Sequence, residues 1–124
     1  MKRAGLIAAM ALAGCESTAQ PGAMRYAGVD TRLLDGDLVN FDVRVENPES
    51  REQVARYAEC AAAQYALIRG YGFARHVRTQ IEQDGRLWTG DAVYTISPAL
   101  PDGLRTIDAE VVVAECARNG IPTV

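Results

Sequence analysis

The sequence predicts an α+β two-layer sandwich, with one helix packed on a mostly antiparallel sheet in the order β-α-β-β-β. Three observations carry that prediction. Residues 38–46 alternate apolar and polar with period two. Residues 51–68 repeat apolar side chains at spacings of three and four. Residues 73–97 form two strand-like runs around Asp84-Gly85. Period two marks a strand with one buried face, and the 3–4 spacing marks one buried helix face.

In the first strand, Val39, Phe41, Val43 and Val45 point one way, while Asn40, Asp42, Arg44 and Glu46 point the other. Asn47-Pro48 ends it, because proline cannot continue a ladder. Upstream, Asp35-Gly36 is a turn signal that would close a short hairpin begun at Arg32-Leu33-Leu34. Ser50-Arg51-Glu52-Gln53 fits a capping box, in which the Ser50 hydroxyl accepts from the Gln53 amide and the Gln53 side chain reaches back. Val54, Tyr57, Ala58, Ala61, Tyr65 and Ile68 then trace the buried face of the helix, with Cys60 beside it. Gly70 and Gly72 stop it.

A two-residue Asp84-Gly85 loop sets Gln83 opposite Arg86, Ile81 opposite Trp88 and Val77 opposite Ala92. On that register Phe73, Val77, Ile81, Trp88, Tyr94 and Ile96 share the core face. His76, Arg78, Gln80, Glu82 and Asp91 share the other, with Arg78 facing Asp91 as a cross-strand ion pair. Pro101-Asp102-Gly103 suits a type I turn with a glycine bulge. Beyond it, Ile107, Ala109, Val111 and Val113 alternate with polar residues and three valines run consecutively, which predicts a last strand beside Ile96. The alternative for this segment is a helix capped by Asp108 and closed by Gly120-Ile121-Pro122.

The beginning of the chain carries a different message. Lys2-Arg3 precede an apolar run from Ala4 to Gly14, and Leu12-Ala13-Gly14-Cys15 follow the small-residue pattern of a cleavage site. As a helix, that run would span only about 16 Å, against about 30 Å for a hydrocarbon core. The arrangement resembles the signal peptide and lipobox of bacterial lipoproteins. The resemblance implies cleavage between Gly14 and Cys15, acylation of Cys15, and a membrane partner engaged through that lipid. Two or more acyl chains anchor stably where one does not. Glu16 is not the Asp that favours inner-membrane retention in enterobacteria, which tilts placement toward the outer membrane. The alternatives are an ordinary signal peptide cut elsewhere and a buried N-terminal helix. The expected organisation is a signal peptide over 1–14, a lipidated cysteine and tether over 15–28, and one α+β domain over 29–124. The mature domain is also similar to small uncharacterised periplasmic lipoprotein domains, through "RGYGF" and "YTISPALPDGLRTIDAEV". That likeness brings no catalytic motif.

With Cys15 acylated, Cys60 and Cys116 remain as one pair, and an oxidising envelope favours a disulfide between them. The alternative is two buried thiols. Closing a loop of about 57 residues stabilises a fold by roughly 4 kcal/mol in the chain-entropy model.

The chain carries a formal charge of −3, and its single lysine lies in the leader. A net-acidic domain without a basic cluster argues against nucleic acid as a partner. No cofactor, metal or catalytic residue is implied. His76 is the only histidine and would sit outward on a strand. Glu49, Glu52 and Glu59 surround the helix start and its exposed face. The serines lack a nucleophile-elbow context. With a single helix, one sheet face is left uncovered, and His76, Arg78, Glu82, Leu87, Asp91 and Val93 form the candidate interaction face there. The sequence therefore predicts a lipid-anchored envelope module that binds or scaffolds another envelope component. A small cell-wall-acting hydrolase, or a ligand- or inhibitor-binding domain, is the alternative.

Overall fold

The computed structural model describes residues 22–99 and 106–123. The expected turn at Pro101-Gly103 and the leader with Cys15 lie outside them. The elements run β1 (Arg25–Asp35), β2 (Leu38–Glu46), α1 (Arg51–Ile68), β3 (Phe73–Asp84), β4 (Leu87–Ser97), β5 (Thr106–Asp108) and α2 (Ala109–Arg118). All ladders among the described residues are antiparallel, in the spatial order β1-β2-β4-β3-β5. The architecture is β-β-α-β-β-β-α, which corrects the expected β-α-β-β-β with one helix.

The first correction is at the start. Gly36 at φ 58° lets the chain reverse between Asp35 and Leu38, so the turn signal closes a full hairpin. The strand before it reaches back to Arg25, four residues into the segment expected to be tether. The second correction is at the end. Asp108 accepts from the amides of Glu110 and Val111, so the segment after it is a helix rather than a strand. Ala109, Val112 and Cys116 are buried, a helical spacing that outweighs the strand preference of three valines. Only Thr106–Asp108 remain strand, and they pair with β3, so Ile107 lies opposite Ala74 and not beside Ile96.

The capping box forms with a shift of one residue. Gln53 donates its amide to Ser50 Oγ at 3.2 Å, while its side-chain oxygen accepts from the Glu49 amide at 2.7 Å. The buried side of α1 holds Val54, Tyr57, Ala58, Ala61, Ala62 and Ala66, and Ile68 is left exposed. Alanines let the helix approach the sheet closely. Its floor is Val39, Phe41, Val43 and Val45 of β2 with Ala92, Tyr94 and Ile96 of β4, all buried. Phe41 packs edge-on against Tyr65 and Tyr94, with ring centroids 5.7 and 6.1 Å apart. Cys60 on α1 and Cys116 on α2 form a disulfide with Cα atoms 6.0 Å apart, so the bridge joins helix to helix.

The β3–β4 hairpin exists, displaced from its expected register. Gly85 (φ 61°) and Arg86 form the two-residue loop between Asp84 and Leu87. With positive φ at the first central position only, this is the II′ pattern of a Gly-X loop, not type I′. Gln83 thus faces Trp88 and Ile81 faces Gly90. The displacement is two residues, so the core face of β4 is unchanged. A bulge at Val77, between His76 and Arg78, then inverts the alternation over the first half of β3. Ala74 is buried, Phe73 pairs with Ser97 on the outer side, and Val77 is 47% exposed, against the expectation that Phe73 and Val77 face the core.

Gly90 lies where α1 packs closely on the sheet. A Cβ built there would meet Val43 Cγ2 and Val54 Cγ1 at 3.0 Å each. Gly90→Ala is expected to lower unfolding free energy by about 1–3 kcal/mol through overpacking, read as a lower urea midpoint at unchanged slope.

Candidate functional site

The Val77 bulge turns His76 inward, opposite Tyr94. The two rings meet edge-on at a centroid distance of 5.1 Å. His76 Nε2 lies 2.7 Å from Thr79 Oγ1, a hydrogen bond that spans the bulge. These side chains floor a cleft of about 420 Å³ between α1 and the sheet edge. One wall is Glu52, Ala55, Arg56 and Glu59 of α1, and the other is Thr106 and Ile107 of β5. That volume lies within the range of small-molecule sites.

Arg56 organises the helical wall. Its Nη1 bonds Glu59 Oε1 and its Nη2 bonds Glu115 Oε2 of α2, both at 3.0 Å. Partial burial works to lower the Arg56 pKa, but Glu115 and Glu59 outweigh it and the guanidinium is held more firmly charged than usual. Glu52 makes no ion pair among the described residues. Tyr94 is only 4% exposed, and burial, reinforced by the nearby Glu59 charge, pushes its phenol well above the ordinary tyrosine range. It is therefore a neutral hydroxyl at physiological pH.

Glu52 and Glu59 share the cleft, which is one condition for acid–base hydrolysis. They nevertheless line the same wall, two helical turns apart, and so do not flank a bond held between them. Among the described residues no group of three or more His, Cys, Asp or Glu is placed to hold a metal ion. No helix among them is long and apolar enough to cross a membrane.

The expected interaction face divides. Arg78, Glu82, Leu87, Asp91 and Val93 do lie on the sheet side away from α1, whereas His76 belongs to the opposite side. The outer face is a web of paired charges. Arg32 bonds Asn40 and Asp42, Arg44 bonds Asp30, and Asn40 bonds Asp91. Arg78 reaches Asp91 diagonally at 3.4 Å, because Gln80 occupies the directly opposite position. Val93, between Asn40 and Arg78 in the ladder, is 4% exposed and presents little surface. Cys60 and Cys116 are joined as anticipated, through α2 rather than a strand end. Sequence reasoning gives no site role to Arg56, Thr79, Thr106 or Ile107, and Ile107 enters it only as an inward residue of the expected last strand.

The comparisons fit a domain of unassigned role. A family model described as the YNQ4 C-terminal domain matches residues 26–120. The chain belongs to the YNQ4 C-terminal domain family. The match begins one residue into β1 and ends two residues past α2, so it takes in all the elements of the fold. A curated relative, an uncharacterised 26.9 kDa protein in the nqo8 5′ region of Paracoccus denitrificans, is 30% identical over 102 residues. The alignment covers 82% of this chain and 40% of that protein, so the chain spans less than half the relative's length. No solved structure matches.

The raised phenols predict a fold that loses stability in alkali. Tyr94, Tyr57 and Tyr26 are all raised, burial being the largest cause in each. The unfolded chain releases these protons near pH 10 while the folded chain keeps them, so stability falls as pH climbs past about 10. Urea midpoints at about pH 8 and about pH 11 are expected to differ clearly in the native chain and by less in Tyr94→Phe.

Proposed function

We propose that this chain is a lipid-anchored envelope protein whose domain binds a ligand without transforming it, the α1–β3 cleft being the binding site. The observation that carries the reading is the Cys60–Cys116 bridge. It occupies both cysteines of the domain, and the remaining one is Cys15, at the end of a basic-then-apolar leader with Leu12-Ala13-Gly14 before it. Disulfides persist in oxidising compartments, which is where a lipobox would deliver the domain. Acyl chains on Cys15 would then supply the membrane attachment that the acidic domain surface does not. Nine residues lie between Cys15 and Arg25, enough to hold β1 clear of a headgroup layer.

Binding rather than catalysis is supported by the cleft's side chains. Its carboxylates share one wall and its guanidinium is committed to two partners. The outer sheet face is the weaker contact surface for an envelope protein, since most of its charges are mutually paired and Val93 is buried.

Expression in a bacterial host with an alkyne-labelled palmitate tests the anchor. Label is expected on the native chain and absent from Cys15→Ser, with no free thiol in the labelled protein until it is reduced. An unlabelled native chain retaining a free Cys15 thiol would refute the anchor and the compartment together.

A further inference from the structure

The charge and ring arrangement of the α1–β3 cleft selects the class of molecule it takes. Glu52 and Glu59 place two carboxylates on the helical wall against one guanidinium. That guanidinium, Arg56, spends one nitrogen on Glu59 and the other on Glu115, a third carboxylate contributed by α2. Among the described residues an incoming anion would meet uncompensated negative charge and no available fork. An incoming cation would meet Glu52, which has no ion-pair partner among the described residues, and the exposed side of Glu59.

The rest of the cleft suits the body of such a cation. Tyr94 and His76 stand edge-to-face on the floor, and their hydrogen bonding and burial hold them in place. Ala55 and Ile107 add apolar lining. The volume of about 420 Å³ accommodates one ring and a short arm. The concavity on the outer sheet face offers a contrast. It is lined by Asp30, Asp42, Glu82 and Asp91 but holds no aromatic ring, and the three aspartates are tied to Arg44, Arg32 and Arg78.

We infer that the cleft binds a small organic cation, an ammonium or amidinium group carried on a flat apolar body, with Glu52 and Glu59 as counter-charges. This inference rests on the cleft being the binding site. The body lies against Ala55 and Ile107, and the charged head points to the α1 carboxylates.

The chain's single histidine gives the test a unique reporter, the His76 imidazole Hε1 resonance. The purified full chain in detergent is titrated at neutral pH with three probes of one shape: benzylammonium, benzyl alcohol and benzoate. Benzylammonium is expected to shift the resonance saturably. Its affinity is expected to fall roughly tenfold in Glu52→Gln and in Glu59→Gln, with benzyl alcohol weak and unchanged in both. Glu52 is exposed, so its variant tests the charge without risk to folding. Benzoate binding as tightly as benzylammonium would overturn the cation preference and leave the cleft a binding site. No saturable shift with any of the three would overturn both.

Discussion

One inserted residue in β3 sets the geometry on which the candidate site depends. A strand alternates strictly, so every side chain's face is fixed by its neighbours'. Val77 breaks that rule by standing unpaired between His76 and Arg78. Downstream, Thr79 and Ile81 face α1; upstream, Ala74 and His76 do. The bulge thus brings a histidine and a threonine, three residues apart, onto one side, where they bond each other and the imidazole meets Tyr94. Without it His76 would stand among Arg78, Gln80 and Glu82, and the cleft would have no imidazole.

The helices supply the other half of the site. Close packing of α1, allowed by its alanines and by Gly90 beneath it, holds Arg56 and Glu59 near the Tyr94 hydroxyl. The ion pairs Arg56–Glu59 and Arg56–Glu115 and the Cys60–Cys116 bridge then fix α2 against α1. Exposed ion pairs contribute little stability each. Here their consequence is positional: they hold the guanidinium along the wall and leave the carboxylates to set the sign of the cleft.

Much of this was legible from local pattern. The alternation of β2, the Ser50 cap, the span of α1 and the β3–β4 hairpin follow from short-range rules, and those rules hold in the structure. What the pattern hid is of three kinds. Gly-X loops and Asp-Gly loops differ by one residue of position, so a turn signal fixes a hairpin but not its register. A bulge leaves no mark in an apolar–polar alternation that remains plausible on either side of it, which is why His76 was placed outward. The last segment satisfied two periods at once, Val111 and Val113 for a strand, Ala109, Val112 and Cys116 for a helix. The Asp108 cap is available only to the helix, and the bridge to Cys60 ties that helix to α1. The pairing of β5 with β3 was likewise out of reach, because it depends on where the chain after β4 crosses the sheet.

The most direct measurement is the set of short proton–proton distances from the His76 ring, taken by nuclear Overhauser spectroscopy on the full chain. The bulged strand predicts cross-peaks from that ring to the Tyr94 ring and the Thr79 methyl. An unbulged strand would replace them with cross-peaks to outer-face neighbours such as Val93 and leave the imidazole in water. That result would remove the cleft's floor and the binding site with it.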